Sequence, residues 1–180
     1  MSEKIICIDA GHGGDDPGAV NGKRYEKTAA LAIAKKVAAR LIADGYKVVF
    51  TRGLDKNLSL AERCRISNDR EADAFISIHL NAATNKKASG IETWRYEKVG
   101  STTKKLANEV QAELIGATGA VDRGVKTTTA FYVLKHTKAP AILVEAGFIS
   151  NSADCQKLFN ASYQTKVAKA IAKGVKSAIR

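Results

Sequence analysis

Two rhythms of apolar and polar positions alternate along this chain. Short apolar runs of strand length occupy residues 4–8, 46–51, 74–79, 90–96, 130–134 and 141–145. Between them the apolar positions fall at helical spacing. Ala30, Ile33, Val37 and Leu41 recur within residues 26–44, and Leu106, Val110 and Leu114 share one face of 101–115. Further helices are expected at 58–71, 154–159 and 163–179, with Ser59 near the start of the first and Gly45 stopping the helix before it. Strands alternating with helices predict an α/β fold with a largely parallel sheet. The strand runs are almost wholly apolar, so helices are expected on both faces of that sheet.

Composition narrows the picture without deciding function. The chain has 180 residues, 45% of them hydrophobic and 26% charged, which suits one soluble domain spanning 1–180 with a real core. No apolar run approaches the roughly 20 residues a membrane helix needs. The apolar run at the start ends at Asp9, too short for the core of a signal peptide, so synthesis in the cytoplasm without an export signal is expected. The net charge of +11 comes from scattered lysines such as Lys35, Lys36, Lys86, Lys87, Lys104 and Lys105, which read as solvated faces. Without a dense basic block or interleaved aromatics, no nucleic-acid partner is expected. Weak attraction to an acidic matrix is a secondary expectation. Cys7, Cys64 and Cys155 form no CxxC pair, and free, mostly buried thiols are expected.

The chemistry concentrates where strands end, the edge at which open α/β sheets bind ligands. The first run leads into Gly11-His12-Gly13-Gly14, the third ends at His79, and the last ends at Glu145. Glu26 opens the first long helix, on the same side of a parallel sheet. Each has a plain structural explanation when taken alone. His12 could be a loop histidine and His79 a satisfied residue at the core boundary. Glu26 could serve a helix N-terminus, where acidic residues are favoured, and Glu145 a cap or a salt bridge. The conjunction changes the odds. Two of the chain's 3 histidines and two glutamates map to one edge of one sheet. Catalytic zinc sites draw three ligands from such residues and keep one position for water, with a further carboxylate as general base. His136 lies in a polar loop and reads as surface.

At these residues the chain resembles the zinc-dependent N-acetylmuramoyl-L-alanine amidases of amidase type 3, a family of bacterial and phage cell-wall hydrolases. The resemblance covers nearly the whole chain. It rests on Ile8-Asp9-Ala10-Gly11-His12-Gly13-Gly14 with Asp16-Pro17-Gly18-Ala19, and on Glu26-Lys27 and Thr51-Arg52 with Asp55, Leu58 and Arg63. Residues 72–82 around Ser77-Ile78-His79-Leu80-Asn81, Gly90-Ile91-Glu92, and 140–151 around Val144-Glu145-Ala146-Gly147-Phe148, with Asp154, complete it. It implies a twisted, mostly parallel six-stranded sheet with helices on both faces. It also implies Zn2+ held by His12, Glu26 and His79, and Glu145 as the catalytic carboxylate. The reaction implied is hydrolysis of the amide between N-acetylmuramic acid and L-alanine in peptidoglycan, so the protein would act on the bacterial cell wall. With no residues left over for a wall-binding domain, the expectation is the catalytic domain of a phage endolysin, or a host autolysin domain. Asn81 would serve substrate or a turn. The rival readings are a zinc peptidase or deacetylase acting on another amide, and a binding module that exploits the positive charge.

Overall fold

The computed structural model describes residues 3–180. Its elements in chain order are β1 (Ile5–Ala10), β2 (Val20–Asn21), β3 (Arg24–Tyr25), α1 (Glu26–Ala43), β4 (Lys47–Phe50), α2 (Leu60–Asp69) and β5 (Ala74–Asn81). There follow β6 (Ile91–Tyr96), α3 (Ser101–Thr118), β7 (Asp122–Thr128), α4 (Tyr132–His136), β8 (Ala141–Phe148), α5 (Ser152–Leu158) and α6 (Ala161–Ala178).

Six strands form one sheet in the order β4-β1-β5-β8-β6-β7. All neighbours are parallel except β8 and β6. The fold is therefore the mostly parallel α/β sheet expected. The strand period of two sorts the side chains cleanly. Ile6, Ile8 and Ala10 of β1, Ala74, Ile76, Ile78 and Leu80 of β5, and Ile142, Val144 and Ala146 of β8 join the large core against α1, α3 and α6. The alternate positions Cys7, Phe75, Ala141 and Leu143 join a smaller core with Cys64 of α2 and with Val133 and Leu134 of α4. The large core is closed by a near-contact of helices: a Cβ on Gly174 of α6 would stand 2.6 Å from the Val110 Cα of α3. All three cysteines are buried and free. Among the described residues no helix is long and apolar enough to cross a membrane.

The expected strand at 130–134 is wrong. That run is the short helix α4, and the last strand of the sheet is β7, earlier in the chain. Val133 and Leu134 are consecutive and both buried in the same small core. A strand would send them to opposite faces, whereas a helical turn brings both inward. β7 escapes pattern reading because it lies at the sheet edge, carries Asp-Arg-Gly-Val-Lys-Thr-Thr, and buries none of its residues fully. The hairpin β2–β3, exposed throughout, also has no apolar signature. The start of α2 follows its sequence signal closely: the Ser59 side chain accepts from the Glu62 N–H while the Glu62 carboxylate accepts from the Ser59 N–H.

Candidate active site

The three residues expected to hold a metal arrive from three separate elements. His12 follows β1, Glu26 begins α1, and His79 is near the end of β5. Their donor atoms all lie within 4.8 Å of one another. His12 Nε2 stands 3.1 Å, and His79 Nδ1 3.0 Å, from the same Glu26 Oε1. The Leu80 N–H also donates to Oε1, at 2.9 Å, and the Ala19 N–H to Oε2, at 2.9 Å, so the carboxylate is fixed from both sides. His12 is oriented from behind, with Nδ1 2.8 Å from Asp16 Oδ2, while Asp16 Oδ1 accepts from the Gly18 N–H. Such outer partners set ring orientation in metal sites.

Two glycines make this convergence sterically possible. A Cβ on Gly11 would collide with the His79 ring. A Cβ on Gly18, which has φ +65°, would stand 2.6 Å from His12 Cδ2 and 2.7 Å from Glu26 Oε2. His12 itself takes a left-handed backbone, φ 60°. A residue held there needs surroundings that over-determine it.

Those surroundings are a buried polar scaffold beneath the loop. Asp9 and Arg63, at 1% and 3% exposure, pair at 2.8 Å. Thr51 Oγ1 and Ser77 Oγ donate to the two Asp9 oxygens at 2.6 and 2.7 Å. Arg63 then donates to the carbonyls of Ala10 and His12, and Arg52 to those of Ala10, Gly11 and Lys27. Burial works against the Asp9 charge, but Arg63 and the two hydroxyls outweigh it and hold the carboxyl below the usual range. Asp9, Arg52 and Arg63 stand in the sequence motifs, but their scaffold role is not evident from the sequence. The available signal was the pair of polar residues, Asp9 and Ser77, inside otherwise apolar strands.

Protonation follows from this crowding. Burial pulls the His12 imidazole down, yet hydrogen bonding and charge from Glu26, then Asp16, raise it to about 9. Burial would push Glu26 up, but His12 and His79 hold it far below the ordinary carboxylate range.

Glu145 behaves oppositely. It lies in register with His79 across β5 and β8, and with Glu92 across β8 and β6. Its Oε2 is sealed from solvent and has no hydrogen-bond partner among the described residues. Burial, the main cause, pushes its carboxyl up to about 7. His79 pulls the other way, while Glu26 and Glu92 add to the rise. Glu92 is fully compensated: Arg123 Nε and Lys126 Nζ each donate to Oε2 at 2.8 Å, and Asn81 Nδ2 and Trp94 Nε1 donate to Oε1. Asn81 is thus tied to Glu92 and to the Ala82 N–H, a framework role. His136 is exposed, as expected, and is stacked on Tyr132.

One cleft of about 500 Å³ contains His12, His79 and Glu145 in its lining. Two histidines and a carboxylate converging on one point form a donor set suited to a divalent metal, and the raised, unpartnered Glu145 suits proton transfer beside it.

Comparison with known proteins decides the family. The sequence profile described as N-acetylmuramoyl-L-alanine amidase matches residues 6–177. The chain belongs to that amidase family. It is 42% identical to the N-acetylmuramoyl-L-alanine amidase LytC of Bacillus subtilis over 98% of its own length, but spans only 36% of LytC. It is 40% identical to the uncharacterized protein YqiI of the same organism, covering 97% of this chain and 84% of YqiI. The crystal structure of an N-acetylmuramoyl-L-alanine amidase from Clostridium difficile 630 superposes with a TM-score of 0.93 at 40% identity, covering 97% of this chain and 96% of that one. This amidase thus shares both sequence and architecture with enzymes of that name.

Proposed function

We propose that this amidase hydrolyses the amide between N-acetylmuramic acid and L-alanine in bacterial peptidoglycan, with zinc held by His12, Glu26 and His79 and with Glu145 as the proton-transferring carboxylate. One observation carries the reading: three metal-suited donors lie within 4.8 Å of one another, and the two histidines among them share a cleft with Glu145, whose Oε2 is buried without a hydrogen-bond partner among the described residues. Nitrogen and oxygen donors of this kind match zinc at a catalytic site. When bound, zinc supplies Lewis acidity that polarises the amide carbonyl and acidifies the attacking water.

The chain's own residues do the rest. Glu26, anchored by the Leu80 and Ala19 N–H groups, keeps both histidines aimed at one point. Glu145 accepts the proton of the attacking water and passes it to the departing L-alanine nitrogen. A carboxyl raised to about 7 is matched to giving and taking a proton near neutral pH. Residues 1–180 form the catalytic unit in this reading. Its setting is cell-wall lysis, and relatives of two origins support that. The bacterial LytC stands on one side, and an endolysin of Bacillus phage SPP1, 35% identical over 96% of this chain, on the other.

Digestion of purified peptidoglycan, with and without chelator, tests the proposal. Chelator-sensitive release of L-alanine amino groups is the expected result. Cut cross-bridges or released acetate would assign a different amide.

A further inference from the structure

The cleft that contains His12, His79 and Glu145 has a second wall with a different character. Leu58, Leu60, Phe131, Tyr132 and Val133 line it, and residues 58–60 and 130–133 carry no charged side chain. Leu60 and Tyr132, 53% and 38% exposed, both line this cleft and so present apolar surface to whatever fills it. Neither is loosely held. Leu60 is the first residue of α2, directly after the reciprocal Ser59–Glu62 cap. Tyr132 opens α4, which is tied to α2 because Asn68 Nδ2 donates to the His136 carbonyl and Asn68 Oδ1 accepts from the Lys138 N–H. The Tyr132 ring is further fixed by stacking on His136, with centroids 4.0 Å apart and planes 26° from parallel.

We propose that this wall is a sugar-binding platform, on which the pyranose ring at the muramoyl side of the scissile amide lies against Tyr132 and Leu60. The inference rests on the amidase reading for the identity of the sugar. A pyranose presents a face of polarised C–H groups, which suits the electron-rich face of an aromatic ring and a neighbouring aliphatic group. The other half of the substrate is a peptide that carries carboxylate. Setting it against an uncharged wall would strip water from its charge with nothing to replace it. The basic residue in this cleft's lining, Arg63, is buried and already paired with Asp9, whereas Lys23 and Arg24 beside α5, and Lys86 and Lys87 near Ser150 and Asn151, line other grooves. The charge distribution therefore gives the substrate a direction across the site, with sugar toward α2 and α4 and peptide away from them. The wall lines the same cleft as His12, His79 and Glu145, so a ring placed there can stay attached to an amide held at those residues.

The test uses Tyr132→Ala and Leu60→Ala, with Tyr132→Phe as the conservative control. Steady-state kinetics on peptidoglycan fragments are read beside NMR titrations of the metal-depleted protein. One titration uses the peptide-free disaccharide of N-acetylglucosamine and N-acetylmuramic acid, and the other the free stem peptide. Tyr132→Ala is expected to raise KM and the disaccharide Kd by about tenfold with kcat within about twofold, the pattern of lost uniform binding. Leu60→Ala moves both in the same direction, Tyr132→Phe stays near the parent, and the peptide Kd does not change. A shift in peptide Kd without one in disaccharide Kd overturns the platform, as do unchanged KM and Kd values in both alanine variants. If the parent protein releases no L-alanine amino groups while Tyr132→Ala still weakens disaccharide binding, the amidase reading fails and the platform stands.

Discussion

His79 and Glu145 are register partners on adjacent parallel strands, β5 and β8. Both side chains therefore leave the same face of the sheet at the same height, one a candidate metal ligand and the other a carboxylate with a sealed, unpartnered oxygen. Glu92 extends the row on β6, but four donors neutralise it. The two neighbouring glutamates thus differ in chemistry because they differ in partners.

Glu145→Gln separates catalysis from metal binding. The amide cannot accept the water's proton, so turnover should fall by at least about a hundredfold, the scale of general-base loss. Metal content by elemental analysis should match the parent. Retained turnover would remove Glu145 from the mechanism.

The same substitution has a stability signature in metal-free protein. A carboxyl raised to about 7 in the fold from an ordinary 4.5 binds its proton more tightly when folded. That contribution is fully present below about pH 4.5, is lost as pH rises, and is gone above about pH 7. Thermal melts from pH 4 to 8 should show the parent losing stability relative to Glu145→Gln across that window, by on the order of 1–3 kcal/mol. Parallel curves for the two proteins would show that burial does not set the Glu145 proton.

Metal binding should compete with protons at His12. In metal-free protein its imidazole is raised to about 9, so at neutral pH zinc must displace a proton. Calorimetry in buffers of different ionisation enthalpy should detect proton release, with affinity rising as pH approaches 9. His12→Ala, Glu26→Ala and His79→Ala should each lower metal content. A full complement in any one of them removes that residue from the ligand set.

The scaffold under the loop should matter as much as the ligands. Arg63→Met leaves Asp9 charged and unpaired in a buried site, a change that costs about 3–5 kcal/mol. It also frees the carbonyls of Ala10 and His12. A lower Tm together with weaker zinc binding is expected. An unchanged zinc Kd in folded Arg63→Met would show that the loop holds its shape without the arginine.

Gly11→Ala probes the site with little effect elsewhere. Its methyl would collide with the His79 ring and force that ring to move. Zinc affinity should drop by about tenfold or more, the scale seen when ligand orientation is disturbed. Near-parental Tm should accompany it, because the methyl meets the ring rather than the core.

Much of this protein is set by local sequence, because local physics produced it. The apolar runs of β1, β5 and β8 and the helical spacing of α1 and α3 can be read directly, since burial requires those periods. His12 stands out where β1 gives way to a glycine loop, and His79 and Glu145 as polar breaks in apolar runs, although the strands continue past them to Asn81 and Phe148. Their assembly with Glu26 depends on tertiary structure, because residues 67 and 66 positions apart meet only once β5 and β8 pair beside β1, and α1 returns to the same edge. The misplaced strand has the same origin. β7 is a polar edge strand recognisable only by its pairing with β6, and Val133-Leu134 mimic a strand until packing shows both facing inward. The pairing of Asp9 with Arg63, the Glu92 cage and the unpartnered Glu145 oxygen were likewise decided by the fold. A charge's cost or use depends on the neighbours packed around it, and those neighbours are distant in sequence.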